Sequence, residues 1–253
     1  MLCKRKFILL SMLLCCTAAA QAQLQKDCPV HGVVPTENIT SLEINPAQDI
    51  IDNSAGISIS KMTMKAFFAF NRRFNVGVEL PLARFEGLGE SKNGLGDTTL
   101  TFSAVTENYG RWSFGAQLET LWPTATDDAL GSGKVQTNPS VYAVYMPGPN
   151  YFVTLGYKQS YSVAGDGGRA DINTGRIRSV WAYLSDDQWW VLADPRYVMD
   201  YKRSGTARFD VEAEVGTMVN LGTAVYLRGG GKVAGNMPGN DWTLSAGFKI
   251  LYL

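Results

Sequence analysis

Residues suited to demanding chemistry are scarce in this chain. It has a single histidine, His31, and of its four cysteines only Cys28 lies beyond Cys16. One thiol outside the leader cannot build an internal disulfide framework, whatever the redox state of its compartment. Cys28 and His31 are metal-compatible types, but two ligands do not make a site. Serine-histidine hydrolysis on a scaffold rim would need a histidine on a strand or loop there, and none exists. The chain also lacks a charge of one sign, with 23 basic and 23 acidic residues. That leaves no basic footprint for nucleic acid. After the leader there is no apolar run near the ~20 residues that a membrane helix needs. If the chain spans a membrane it must do so as a closed β-barrel, because an open sheet would leave backbone groups unpaired in lipid.

Residues 1–22 have the form of a secretory signal peptide: Lys4-Arg5-Lys6, an apolar run from Phe7 to Cys16, and Ala20-Gln21-Ala22 as a small-x-small cleavage site. Bulky Leu14 and Cys15 precede Cys16, which makes lipid anchoring the lesser reading. Cleavage removes three basic residues and no acidic ones, so the mature chain carries a small acidic excess. Residues 23–59 read as an irregular N-terminal segment with one weak strand around Ile39–Ile44, either a first strand or a plug. Residues 60–253 read as the barrel.

The alternation of side chains carries that reading. In the closing stretch Trp242, Leu244, Ala246, Phe248, Ile250 and Tyr252 share one face, opposite Thr243, Ser245, Gly247 and Lys249. Trp242 and Tyr252 stand ten residues apart. At ~3.3 Å per residue and ~40° tilt that is ~25 Å along a membrane normal, the height of an outer-membrane apolar band with aromatic rims. Trp112 to Trp122 and Tyr151 to Tyr161 repeat the spacing. Similar alternation marks Lys61–Asn71, Phe74–Leu82, Thr98–Val105, Ile177–Tyr183, Trp189–Tyr201, Phe209–Val215 and Ala224–Val233. Val141–Met146 is apolar on both faces, so its register stays open. Long polar loops are expected at Gly87–Gly96, Thr124–Lys134 and Gly165–Gly175. Tight periplasmic turns are expected at Arg72-Arg73, Glu107–Gly110, Pro147–Asn150 and Asn220–Gly222. The fold class is all-β: a transmembrane antiparallel up-and-down barrel of about twelve strands, counting the weak one, with ten as the alternative.

The face turned from lipid carries Lys61, Lys65, Glu79, Glu119, Lys158, Arg178, Asp194, Arg196, Asp210, Glu212, Glu214, Arg228, Lys232 and Lys249. A cation on the lipid face at mid-membrane costs ~2–4 kcal/mol, so these residues are candidates to line the lumen. Acidic Asp210, Glu212 and Glu214 lie between strands bearing Arg196 on one side and Arg228 and Lys232 on the other, which predicts cross-strand ion pairs. Such pairs either fill a narrow barrel and hold it shut or line a selective passage. Mixed sign favours the first. Gly229-Gly230-Gly231 predicts a bend or close approach that could also widen the lumen, and Pro195 predicts a bulge between Asp194 and Arg196. The acids Asp210 and Glu212 suit ion pairs better than acid-base work. Gly87-Leu88-Gly89 through Asp97 lacks the lysine and hydroxyl of a phosphate loop.

The stretch Phe74-Asn75-Val76-Gly77-Val78-Glu79-Leu80-Pro81-Leu82, then Asn93-Gly94-Leu95-Gly96-Asp97 opening a strand, resembles the outer-membrane family associated with meta-pathway phenol degradation. Pro123-Thr124 entering a glycine-containing loop is similar too. The resemblance runs from about Lys61 onward and implies an outer-membrane barrel passing small hydrophobic or aromatic molecules. It transfers no substrate-binding residue, and this chain ends on Tyr252-Leu253 where such barrels usually end on phenylalanine. The function expected is passive transport, with a closed structural barrel as alternative and a barrel enzyme as a distant third. Expected partners are outer-membrane lipids, the barrel-assembly machinery and a small-molecule solute, with the barrel acting as a monomer. No catalytic, metal or cofactor site is expected.

Overall fold

The computed structural model describes residues 32–203 and 205–252. Residues 1–22, read above as a signal peptide, and Cys28 and His31 lie outside the described residues. The strands are β1 (Thr40–Asp52), β2 (Ile57–Asn71), β3 (Phe74–Gly87), β4 (Glu90–Leu95), β5 (Thr98–Val105), β6 (Trp112–Trp122), β7 (Lys134–Gly148), β8 (Tyr151–Gly165), β9 (Asn173–Leu184), β10 (Trp189–Asp200), β11 (Thr206–Asn220), β12 (Thr223–Gly235) and β13 (Trp242–Tyr252). Each pairs antiparallel with its neighbours, and β1 meets both β2 and β13, so the sheet closes into a ring. Both β4 and β5 pair with β3, through Leu82↔Leu95 and Glu79↔Thr99, and are two pieces of one wall strand. The wall therefore has twelve strands.

Parity sets the two faces. Leu155, Trp181, Leu227, Leu244 and Phe248 are exposed on the outside, as are the rim aromatics Trp112, Trp122, Tyr151, Tyr161, Trp242 and Tyr252. In water so large an apolar surface would demand a partner, whereas a bilayer supplies one on all sides. The outside is thus the lipid face of an outer-membrane barrel.

Three local expectations need correction. First, Gly87–Gly96 is not a long loop. The chain turns on Leu88 and Gly89, with φ of 54° and 80°, and returns as β4 with Gly87 opposite Glu90. Positive φ at both central residues gives the turn whose twist matches the flanking strands. Second, Pro195 makes no bulge. Pairing of β9 with β10 skips Asp194 and Pro195 but resumes in the same register at Arg196↔Arg178, and β10 with β11 runs through unbroken. One missing N–H on one side costs a ladder bond without forcing a slip. Third, the weak strand expected around Ile39–Ile44 is the first wall strand, but little around it is irregular: β2 starts at Ile57 and β1 runs on to Asp52. Its outer face, Leu42, Ile44, Pro46, Gln48 and Ile50, is broken by a proline and an amide, which blurs the alternation. The bend or close approach expected at Gly229-Gly230-Gly231 is found: a shift in β11–β12 pairing falls between Phe209 and Asp210, beside the glycines. An added Cβ would collide with the Val211 carbonyl oxygen at Gly230 and with that of Asp241 at Gly231. Close backbone approach explains both residues.

The break at Gly96-Asp97 leaves β4 without a wall neighbour on its far side. Residues 123–133 fill the gap. The Thr126 N–H donates to the Leu95 carbonyl at 3.0 Å, and the Leu95 N–H donates to the Thr126 hydroxyl at 3.1 Å. Asp97 accepts from the Ser132 N–H at 2.6 Å and hydroxyl at 2.8 Å. The loop thereby gives partners to the Leu95 backbone and the Asp97 carboxylate.

Candidate functional site

Residues 32–39 enter the barrel at the end that carries the short turns 72–73, 149–150 and 221–222, the end that such turns mark as periplasmic. Val34 is buried there among Val144, Phe152, Val180, Leu184, Trp190, Leu192, Ala224 and Leu251, all inward-facing near the periplasmic ends of their strands. The Asn38 N–H donates to the Arg72 carbonyl at 2.8 Å, and Lys249 Nζ donates to the Gly32 carbonyl at 3.2 Å. This packing explains the two-faced Val141–Met146. Val141 and Tyr145 face outward, while Tyr142, Val144 and Met146 pack at the floor that the N-terminal segment builds.

Next to this floor lies a cavity of about 550 Å³, inside the range of small-molecule sites. Of the sequence candidates, Lys65, Glu119, Lys158, Arg178, Glu214, Arg228 and Lys249 line it. Glu79, Asp194, Arg196, Asp210, Glu212 and Lys232 do not line it, but all make ion pairs.

The largest charge cluster spans β9 to β12. Asp194, fully buried, accepts from Arg178 Nε at 2.7 Å and Nη2 at 2.8 Å, and also pairs with Arg228. Arg228 further reaches Glu212 at 2.5 Å and Glu214 at 3.3 Å, and Arg196 pairs with Glu212. Trp190 Nε1 donates to Glu214 at 2.8 Å, joining the cluster to the apolar floor. A second chain of charges crosses the seam. Lys65 lies 3.6 Å from Glu43 and 3.9 Å from Glu79, and Glu43 accepts from the Tyr226 hydroxyl at 2.7 Å. Lys158 and Glu119 pair across the width of β7. Nearer the outer rim Lys61 pairs with Asp49, Lys232 with Asp241 at 3.3 Å, and Arg208 with Asp210 at 3.0 Å. Asp210 therefore takes its own strand's arginine rather than Arg196 or Lys232.

Three participants escaped the sequence reading. Arg176 lines the cavity but sits next to Gly175, where a loop was expected to end. Its even spacing from Arg178 was the available signal. Glu43 fell in the weak strand around Ile39–Ile44, to which no faces were assigned, and Trp190 sits beside outward Trp189, where two adjacent tryptophans mask the alternation. Among the described residues no group of three or more potential metal ligands comes together.

A closed, lipid-faced barrel with an ion-paired interior and a cavity on its axis defines the class: an outer-membrane β-barrel. The chain is similar to an outer-membrane channel from Pseudomonas putida F1, with a TM-score of 0.71 and 12% identity over 86% of this chain and 98% of that one. It is also similar to the NanC porin, at 0.61 and 8% identity over 84% and 99% of the two chains. The KdgM porin follows at 0.59 and 10% identity over 84% and 99%, and that porin has also been solved in complex with oligogalacturonate. At these identities the likeness is one of fold. No protein-family model and no curated protein matches the chain.

Proposed function

We propose that this chain is a passive channel of the outer membrane for small molecules, hydrophobic or aromatic ones among them. The observation that carries the reading is the cavity itself, about 550 Å³ inside a sealed wall, with charged groups on its side and apolar groups on its floor. A barrel serving only as a structural element would gain from filling that space. The fold shared with outer-membrane channels and the resemblance to the phenol-degradation family support the same reading. It needs no catalytic residue and no cofactor.

One observation favours a second reading, a closed barrel without transport: residues 32–39 occupy the periplasmic end. The two readings part on uptake. A strain lacking the gene should accumulate a labelled aromatic compound more slowly than the same strain complemented. A variant lacking residues 32–38 should conduct more than the intact protein in planar bilayers. Equal uptake with and without the protein, together with no current from either form, overturns the channel.

A further inference from the structure

Adjacent inner faces of the wall place like charges directly opposite one another. Lys158 on β8 is the register partner of Arg176 on β9, and Arg178 on β9 is the partner of Arg196 on β10. Such pairs destabilise a sheet unless something offsets the repulsion. Lys158 has Glu119, Arg178 has Asp194 and Arg196 has Glu212. Arg176 has no carboxylate partner among the described residues, and it lines the cavity together with Lys158 and Arg178. Arg178 directs Nε and Nη2 to Asp194, and its side chain is still 44% exposed. Its Nη1 is left over. Gly156, the register partner of Arg178, adds no side chain to the space in front of it.

Below this cationic ledge the same cavity turns apolar. Toward the periplasm β9 continues inward with Val180, and the lining there includes Ile39, Tyr142, Phe152 and Leu192. A guanidinium with free N–H groups beside an apolar shelf recognises a molecule with one carboxylate and a hydrophobic body. We infer that Arg176, assisted by Arg178 and Lys158, is the carboxylate-binding residue of a site for small aromatic acids. The ring lies on the shelf formed by Val180, Tyr142, Leu192 and Ile39. A single unpaired arginine calls for a monoacid. The inference deepens the channel reading by naming a solute class, and it rests on that reading only for the passage of the bound acid across the membrane.

Titration calorimetry on the detergent-solubilised full chain tests the site without transport. Benzoate should bind at least tenfold tighter than benzyl alcohol, its neutral analogue of similar size, and high salt should shrink that ratio. Arg176→Gln should bring the ratio to within about threefold, and Arg176→Lys should retain part of the preference. The heat-dependent gel shift of each variant checks that it has folded. Equal affinities for the two probes in the unmodified protein, or no binding of either, overturn the site whether or not any variant folds. An unchanged ratio in a folded Arg176→Gln variant does the same. Lost uptake with intact benzoate binding counts against the channel alone, and intact uptake without benzoate preference counts against the site alone.

Discussion

Replacing Asp194 by asparagine should cost the barrel about 3 kcal/mol, on the order of what removing one partner from a buried ion pair costs. The side chain is fully buried and holds two arginines, Arg178 through bonds of 2.7 and 2.8 Å and Arg228 through a third contact. Charge-assisted bonds contribute ~1.5–3 kcal/mol each. Asparagine keeps the shape and one acceptor, but its amide N–H groups face guanidinium N–H groups. Two features hold the loss below the sum of the bonds. Arg228 retains Glu212 and Glu214, and Arg178 is half-exposed to the cavity, where water takes up part of its charge. Reversible urea unfolding from lipid vesicles, followed by tryptophan fluorescence at neutral pH, gives the difference. Glu107→Gln is the control, because its pair with Arg73 is exposed on both sides and should move stability by under ~1 kcal/mol. If Asp194→Asn shifts stability no more than Glu107→Gln, the interior charges do not brace the wall.

Three other outcomes are expected. Val34→Asp puts a charge into the apolar floor, so the N-terminal segment should leave its seat, seen as faster amide exchange at residues 33–38 and higher conductance. Leu155→Arg, on the lipid face, should cost ~2–4 kcal/mol in the same unfolding assay, whereas Ser140→Arg, at the cavity, should be tolerated better. In the outer loop after β8, the hydrogen bond from Lys134 holds the Asp171 carboxyl below its ordinary value. A depressed native value means that the tie between this loop and β7 is at full strength above the ordinary aspartate range and is lost as pH falls through the lowered value. An NMR titration of Asp171 should therefore move upward in Lys134→Met, and no movement would remove Lys134 as the cause.

The lipid face was legible because nothing interrupts it: Trp242 to Tyr252 alternates for a full membrane height, and the sequence alone locates both rims. Legibility failed wherever a face meets something other than lipid or water. The inward side of β7 is apolar because Val144 and Met146 touch the floor under Val34, a tertiary fact that no local pattern can signal. Leu88-Gly89 reads as part of a glycine-rich loop until the strand twist shows that two positive φ angles are what the hairpin requires. For the interior, sign and parity identified which residues carry charge, but not who pairs with whom. Asp210 chose Arg208, two residues away, over Arg196 across the strand. Arg176 was missed because a glycine beside it mimicked the end of a loop.

The seam between β1 and β13 has a consequence for how the molecule is built. Thr40 pairs with Tyr252, and Ile50 with Trp242, so the first wall strand waits for the last before the ring can shut. The seat for Val34 is assembled from β7 through β13, which means that it too is absent until late in synthesis. Residues 32–39 therefore have no complete seat to take until the two ends of the sheet have come together. Stoppering of the mouth thus depends on barrel closure, and a sheet that stays open leaves residues 32–39 without their full seat.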